Sequence, residues 1–299
     1  MSKIAFMFPG QGTQVIGMGK DIYDKYDEAK KVYDKASEIL NIDMCKLCFE
    51  GVKKSLTEDI LEENALDKTE NTQIAIAVTS LAILEVLKNH GIEADMAVGL
   101  SLGEYVALIY SGIISFEDGL KLLKCRGYLM GNKVEKGNYA MAAVIGLESS
   151  KIEEICECMQ NEGKFVVPAN YNYSMQTVIS GDEKSIEEIT EKLKQAGAKR
   201  VIKLNTSGPF HTKKLNEARN LYLEELKKIK FNKPNIDVAR NLDGKIYSEN
   251  DDMVTILANH IVSSVRFDKM MKTMEEKGID TYYEIGPRKN FSRICEERK

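Results

Sequence analysis

The stretch Ala94-Asp95-Met96-Ala97-Val98-Gly99-Leu100-Ser101-Leu102-Gly103-Glu104-Tyr105 decides the fold. The apolar run at 94–98 reads as a short buried strand and 104–110 as a helix, so Gly99-Leu100-Ser101-Leu102-Gly103 is a G-x-S-x-G turn between them. Two glycines permit a sharp strand-to-helix reversal. That reversal lifts the Ser101 hydroxyl to the end of a sheet and aims the Leu102 backbone N–H at the place where an oxyanion would form. A helix N-terminus lies behind both. The context predicts an α/β chain carrying a nucleophile elbow.

Working outward, 3–8 reads as a buried strand ending in the turn Pro9-Gly10-Gln11-Gly12-Thr13-Gln14. That turn has neither G-x-G-x-x-G spacing nor the Lys-Ser/Thr of a P-loop, which leaves it as a wall of backbone N–H groups beside the elbow. Helices are predicted over 21–40 and 72–90, the second apolar enough for burial on several sides and stopped at Gly91. Ser115 and Asp118 form a capping pair for a helix reaching about 134. From 139 to 204 the pattern becomes strand 139–145, helix 150–160, strands 165–170 and 176–180, helix 185–195 and strand 199–204. That β-α-β-β-α-β order is ferredoxin-like and reads as an inserted subdomain, 137–204, dividing a larger domain of 1–136 and 205–299. A polar loop at 205–211, a helix 212–229, a strand near 236–239, two helices within 252–278, a strand 281–285 and a short last helix complete the chain.

Composition narrows the function classes. The chain has 299 residues, 43% hydrophobic and 29% charged, with a formal net charge of −4. That is globular, without the basic surplus of a nucleic-acid binder. Its longest uncharged stretch, 165–181, contains Pro168, Asn170, Asn172, Ser174 and Gln176 and does not make a membrane span. The apolar run 4–8 is too short for a signal-peptide core, so a cytoplasmic protein with no nucleic-acid or membrane partner is expected. Of six cysteines, Cys45 and Cys48 make a CxxC on a helical pattern with no second pair to complete a zinc site; reduced, mostly buried thiols and no metal are expected.

A serine nucleophile needs a base, and the chain offers three histidines. His211 sits in the polar loop Ser207-Gly208-Pro209-Phe210-His211-Thr212 just before a helix and is the candidate. His90 reads as a surface residue at a helix C-terminus, and His260 lies within the helix predicted over 252–263. Spacing names no triad acid, so a dyad and a triad both remain open. An esterase and a non-catalytic binding module are the competing classes.

PGQGTQ (9–14), GLSLGEY (99–105), KCRGYLM (124–130), ANYN (169–172), GPFHT (208–212) and YEIGP (283–287) occur in this order across essentially the whole chain. Together they resemble the malonyl-CoA:acyl carrier protein transacylases. The resemblance implies an α/β-hydrolase-like large domain with a ferredoxin-like insertion. It also implies ping-pong transfer of malonyl from malonyl-CoA to the phosphopantetheine thiol of acyl carrier protein, feeding fatty-acid chain elongation without a cofactor. By resemblance, Ser101 is acylated, His211 is its base, and the Gln11 and Leu102 N–H groups form the oxyanion hole. Arg126 grips the malonyl carboxylate, a task suited to a planar guanidinium. Met130, Asn170 and His260 fall at substrate-site positions. Two departures stand out. The family usually places histidine where this chain has Leu100, and glutamine, whose backbone carbonyl orients the catalytic histidine, where this chain has His260. His260 is therefore expected near the site but not essential. An acidic carrier protein also calls for a local basic patch, with Arg200, Lys203, Arg288 and Lys289 as candidates.

Overall fold

The computed structural model describes residues 2–54, 61–62, 65–206, 208–289 and 291. Its strands are β1 (Ile4–Phe8), β2 (Lys53–Lys54), β3 (Leu61–Glu62), β4 (Met96–Gly99), β5 (Tyr139–Ile145), β6 (Val166–Tyr173), β7 (Gln176–Asp182), β8 (Arg200–Lys203), β9 (Asp237–Ala239), β10 (Val265–Arg266) and β11 (Thr281–Glu284). Its helices are α1 (Lys20–Lys25), α2 (Asp27–Leu40), α3 (Met44–Glu50), α4 (Thr69–Asn89), α5 (Gly103–Tyr110), α6 (Phe116–Asn132), α7 (Ser149–Asn161), α8 (Glu183–Gln195), α9 (Asn216–Leu226), α10 (Met253–His260) and α11 (Phe267–Glu276).

One sheet runs β11-β1-β4-β9 with every pair parallel. Side chains alternate between its faces. Phe6, Phe8, Ala97 and Val238 join a core built from α2, α4, α5, α6, α9 and α10, while Ala5, Met7, Met96, Val98 and Ala239 join a second core with Phe267, Met270, Met271 and Met274 of α11. Cover on both faces explains why β1 and β4 read as unbroken apolar runs. Helix α4 is long and apolar enough to cross a membrane, yet it lies inside the first core.

The second sheet runs β10-β6-β7-β5-β8, antiparallel except for the β10–β6 pair. Helices α7 and α8 cover one face through Ile152, Cys156, Met159, Ile186, Ile189 and Leu193. Met141, Ala143, Ala169 and Val178 join the large core instead. The mixed α/β architecture expected from the sequence is present, and the β-α-β-β-α-β order from β5 to β8 is as read.

Several boundaries differ for tertiary reasons. The predicted helix 21–40 breaks at Tyr26, whose extended backbone closes α1 and opens α2 while its ring packs edge-on against His90. The predicted helix 212–229 opens with a 3-10 turn, Lys213–Leu215. Strand β10 has only two residues and no sequence signal; the neighbouring β6 supplies its pairing. The short last helix and Cys295 lie outside the described residues. Cys48 is buried and Cys45 half-buried on α3, and burial pushes the Cys45 thiol up to about 11, opposite to the lowered value a redox CxxC needs.

Adjacent parallel strands deliver the site. The carboxyl end of β1 leads to Gln11, that of β4 to Ser101 and that of β9 to Asn241, all at one edge of the sheet. Ligands of open parallel sheets gather at this edge.

Candidate active site

Ser101 has φ 56, a left-handed conformation that side chains rarely adopt. The flanking glycines show why the turn is so tight. A Cβ on Gly99 would sit 1.9 Å from the Gly103 carbonyl carbon, and one on Gly103 would sit 2.2 Å from the Phe8 carbonyl oxygen. Asn241 holds the turn from outside: its Oδ1 accepts the Ser101 N–H at 2.8 Å and its Nδ2 donates to the Gly99 carbonyl at 2.7 Å. Sequence reading missed Asn241, which lies in the unremarkable run Arg240-Asn241-Leu242-Asp243.

His211 also has a left-handed backbone, φ 60, which turns its ring inward from the loop before α9. Its Nε2 lies 2.8 Å from Ser101 Oγ, and its Nδ1 lies 3.1 Å from the His260 carbonyl oxygen. A carbonyl there only accepts, so Nδ1 carries the proton and Nε2 is free to accept one from the serine. The orienting group is a backbone carbonyl rather than a carboxylate, so the arrangement is a dyad. Burial, with His260 and the Arg126 guanidinium close by, holds His211 well below the ordinary histidine range. A neutral imidazole against a half-buried serine hydroxyl suits general-base activation.

Arg126 on α6 is fully buried, 0% exposed. Its Nη2 donates to Ser101 Oγ at 3.0 Å and its Nη1 to Gln73 Oε1 on α4 at 2.7 Å, while the Tyr105 ring lies beneath the guanidinium at 5.6 Å. Gln73 in turn donates to Met130 Sδ at 3.7 Å, which ties Met130 to the same cluster. The helices approach closely because Gly127 lies against α4, where an added Cβ would be 2.6 Å from Glu70 Cα. The exposed helical arginine that spacing alone allowed is instead the largest fully buried side chain among the described residues.

The Gln11 side chain reaches Thr69 Oγ1 at 3.5 Å. Among the described residues neither the Gln11 nor the Leu102 backbone N–H donates to another residue. The turn around Gln11 is braced by Arg288, which donates to the carbonyls of Thr13 at 3.2 Å and Gln14 at 2.9 Å. Arg288 is exposed and keeps its charge at the surface while it braces the turn. Arg200 and Lys203 lie on β8, at the far edge of the second sheet, where Lys203 pairs with Glu183 at 2.6 Å; Lys289 is exposed beside Arg288. Asn170 sits on β6 opposite Val265 of β10, five residues beyond His260, with no described hydrogen bond to the dyad. Leu100 packs toward the α11 core. His90 is exposed at the end of α4, with Nδ1 2.8 Å from the Val86 carbonyl oxygen.

A family model described as an acyl transferase domain matches residues 5–297. The chain belongs to the acyl transferase domain family. It is 37% identical over 297 residues to the malonyl CoA-acyl carrier protein transacylase of Bacillus subtilis, covering 99% of this chain and 90% of the relative. A crystal structure of malonyl CoA-acyl carrier protein transacylase from Clostridium perfringens superposes with a TM-score of 0.90 at 41% identity, covering 99% of this chain and 90% of that one. A malonyl-transacylase solved with its type II PKS acyl-carrier protein gives a TM-score of 0.88 at 32% identity, over 96% and 90% of the two chains. This acyl transferase domain buries a cation, Arg126, beside the serine of its G-x-S-x-G turn.

Proposed function

We propose that the chain moves malonyl from malonyl-CoA to the phosphopantetheine thiol of acyl carrier protein, supplying fatty-acid chain elongation. The observation that carries the reading is Arg126. A fully buried guanidinium touches Ser101 Oγ, its Nε has no hydrogen-bond partner, and no described carboxylate pairs with it. An unpaired buried cation is costly, so the site is built for a substrate that brings its own anion within reach of the serine. The free carboxylate of a malonyl group meets that need.

His211 Nε2 takes the Ser101 proton as Oγ attacks the thioester carbon, and the Gln11 and Leu102 N–H groups hold the oxyanion, each worth about 3 kcal/mol. Collapse breaks the C–S bond, and the coenzyme A sulfur leaves with the proton from His211. The carrier thiol then gives its proton to His211 and attacks the malonyl-serine ester; Ser101 leaves and recovers a proton. Charge and atoms balance through these residues, so the reaction calls for no metal or redox cofactor. Met130 holds Gln73 against Arg126, and Asn170 and His260 complete the surroundings of the acyl group.

In the same reading, the parallel sheet with its helices is an α/β-hydrolase-like large domain, 1–136 and 205–299, in a cytoplasmic enzyme. Residues 137–204 are its ferredoxin-like subdomain. The order β8-β5-β7-β6 supports the second assignment and the elbow at the end of β4 the first.

Mass spectrometry after brief exposure to malonyl-CoA tests the function. A lasting malonyl adduct on Ser101, discharged by the carrier thiol and absent in Ser101→Ala, is expected. Rapid release of malonate without an adduct would make the protein a hydrolase.

A further inference from the structure

We propose that Glu104 is a positioning residue for both halves of the dyad, acting on Ser101 through Asn241 and on His211 through His260. The inference rests on the reading of Ser101 and His211 given above.

Glu104 lies in the first turn of α5, three residues beyond the serine, and is only 1% exposed. A buried carboxylate is costly and needs partners close to it. Oε1 accepts the Asn241 backbone N–H at 2.8 Å and the Tyr247 hydroxyl at 3.0 Å. Asn241 is the residue whose side chain grips Ser101 N–H and the Gly99 carbonyl, so this oxygen anchors the clamp on the left-handed serine. Oε2 lies 2.8 Å from Nδ1 of His260, which is also 1% exposed, a close contact outside hydrogen-bond geometry.

His260 carries the second branch. Its ring stacks on that of His211 with centroids 5.1 Å apart and planes 24° apart, and its carbonyl oxygen meets His211 Nδ1. Glu104 therefore fixes the ring that forms one wall of the base. Burial by itself would raise the Glu104 carboxyl; His260, the Asn241 N–H and the Tyr247 hydroxyl together hold it below the usual range.

The charged and titratable groups facing this pair come from each packed element. They are Arg126 from α6, Tyr105 from α5, His211 from the loop before α9, and Tyr247 after β9. Beyond Tyr247 lies Arg240, itself paired with Asp243 and Asp251. Arg126 and the His260 ring are the two that oppose a proton on His211.

The test uses the whole chain and the variants Glu104→Gln, His260→Gln and the double variant. With three histidines in the chain, imidazole NMR follows each ring without any substrate. His260→Gln, which retains the orienting carbonyl but removes the ring stacked on His211, should raise the His211 midpoint. Glu104→Gln should slow acylation of Ser101 by malonyl-CoA at least about tenfold at pH 7 with KM nearly unchanged, and the double variant should be no slower than Glu104→Gln. A merely structural carboxylate would lower the melting temperature of Glu104→Gln and leave the acylation rate per folded molecule where it was. Should Glu104→Gln not fold, Glu104→Asp takes its place. A His211 midpoint unmoved in folded His260→Gln, or losses that multiply in the double variant, would overturn the proposal. If no acyl-enzyme formed in the wild type, the functional reading would fail while the NMR arm still judged the pair.

Discussion

Replacing Arg126 gives the sharpest test of substrate choice. Its Nη2 already touches Ser101 Oγ and its Nη1 is held by Gln73, so the guanidinium is fixed before substrate arrives. A malonyl carboxylate accepting two charge-assisted hydrogen bonds gains about 1.5–3 kcal/mol from each. Losing both amounts to about 3–6 kcal/mol, or about 10²–10⁴ in malonyl transfer at about 1.4 kcal/mol per decade. Acetyl has no carboxylate and loses only the shared contact to Ser101 Oγ, about tenfold at most. Arg126→Ala should therefore lower the malonyl-to-acetyl ratio by about 100-fold or more, and Arg126→Lys should fall between, keeping charge but not the planar fork. The variant also leaves Gln73 Oε1 without its donor in a fully buried place, which destabilises the fold. The assay should thus compare single-turnover acylation by malonyl-CoA and acetyl-CoA on one preparation, where the folded fraction cancels. A ratio unchanged within about threefold would remove Arg126 from specificity.

Other expectations follow from the turn and from the buried histidine. Gly103→Ala places a Cβ 2.2 Å from the Phe8 carbonyl oxygen and should cost about 3 kcal/mol or more, whereas at Gly131 the nearest atom is Thr69 Cβ at 3.6 Å. Gly131→Ala should be neutral or gain about 0.5–1 kcal/mol; equal urea midpoints for the two variants would contradict the close-approach account. His211 is held neutral in the fold, so the unfolded chain binds a proton first as pH falls below the ordinary histidine value of 6.5. The stabilisation is complete above that value and is lost toward the lowered folded value, and Glu104 adds a similar loss below 4.5. The urea midpoint should therefore drop from pH 7 to pH 5 and drop less in His211→Gln; identical drops would refute this origin.

Much was legible in the chain because the signals were local. The capping pair at Ser115 appears as written: Ser115 Oγ accepts the Asp118 N–H and donates to Asp118 Oδ2 at 2.7 Å. Strand β5 spans the 139–145 expected of it, since alternation between two apolar faces is a property of consecutive residues. Ser101 and His211 were legible as a nucleophile in a tight turn and a histidine in a polar loop. Arg126 was named only by resemblance, because a helical arginine carries no local sign of burial. The break at Tyr26 and the two residues of β10 were not legible, since each answers to a partner distant in sequence.

By itself, the sequence determined the elbow, its two obligatory glycines, the apolar strands beneath it and the order of the second unit. Those follow from sterics and hydrophobic spacing over a few residues. Only the tertiary structure decided that His211 is oriented by the His260 carbonyl rather than by an acid, and that Asn241, 140 residues on, clamps the serine. It also decided that Arg288 braces the Gln11 turn. The reason is physical: hydrogen bonds and buried charges are satisfied by whatever groups the packed sheet edge brings together, and Ser101, His211, Asn241 and Arg126 meet there from four separate stretches of the chain.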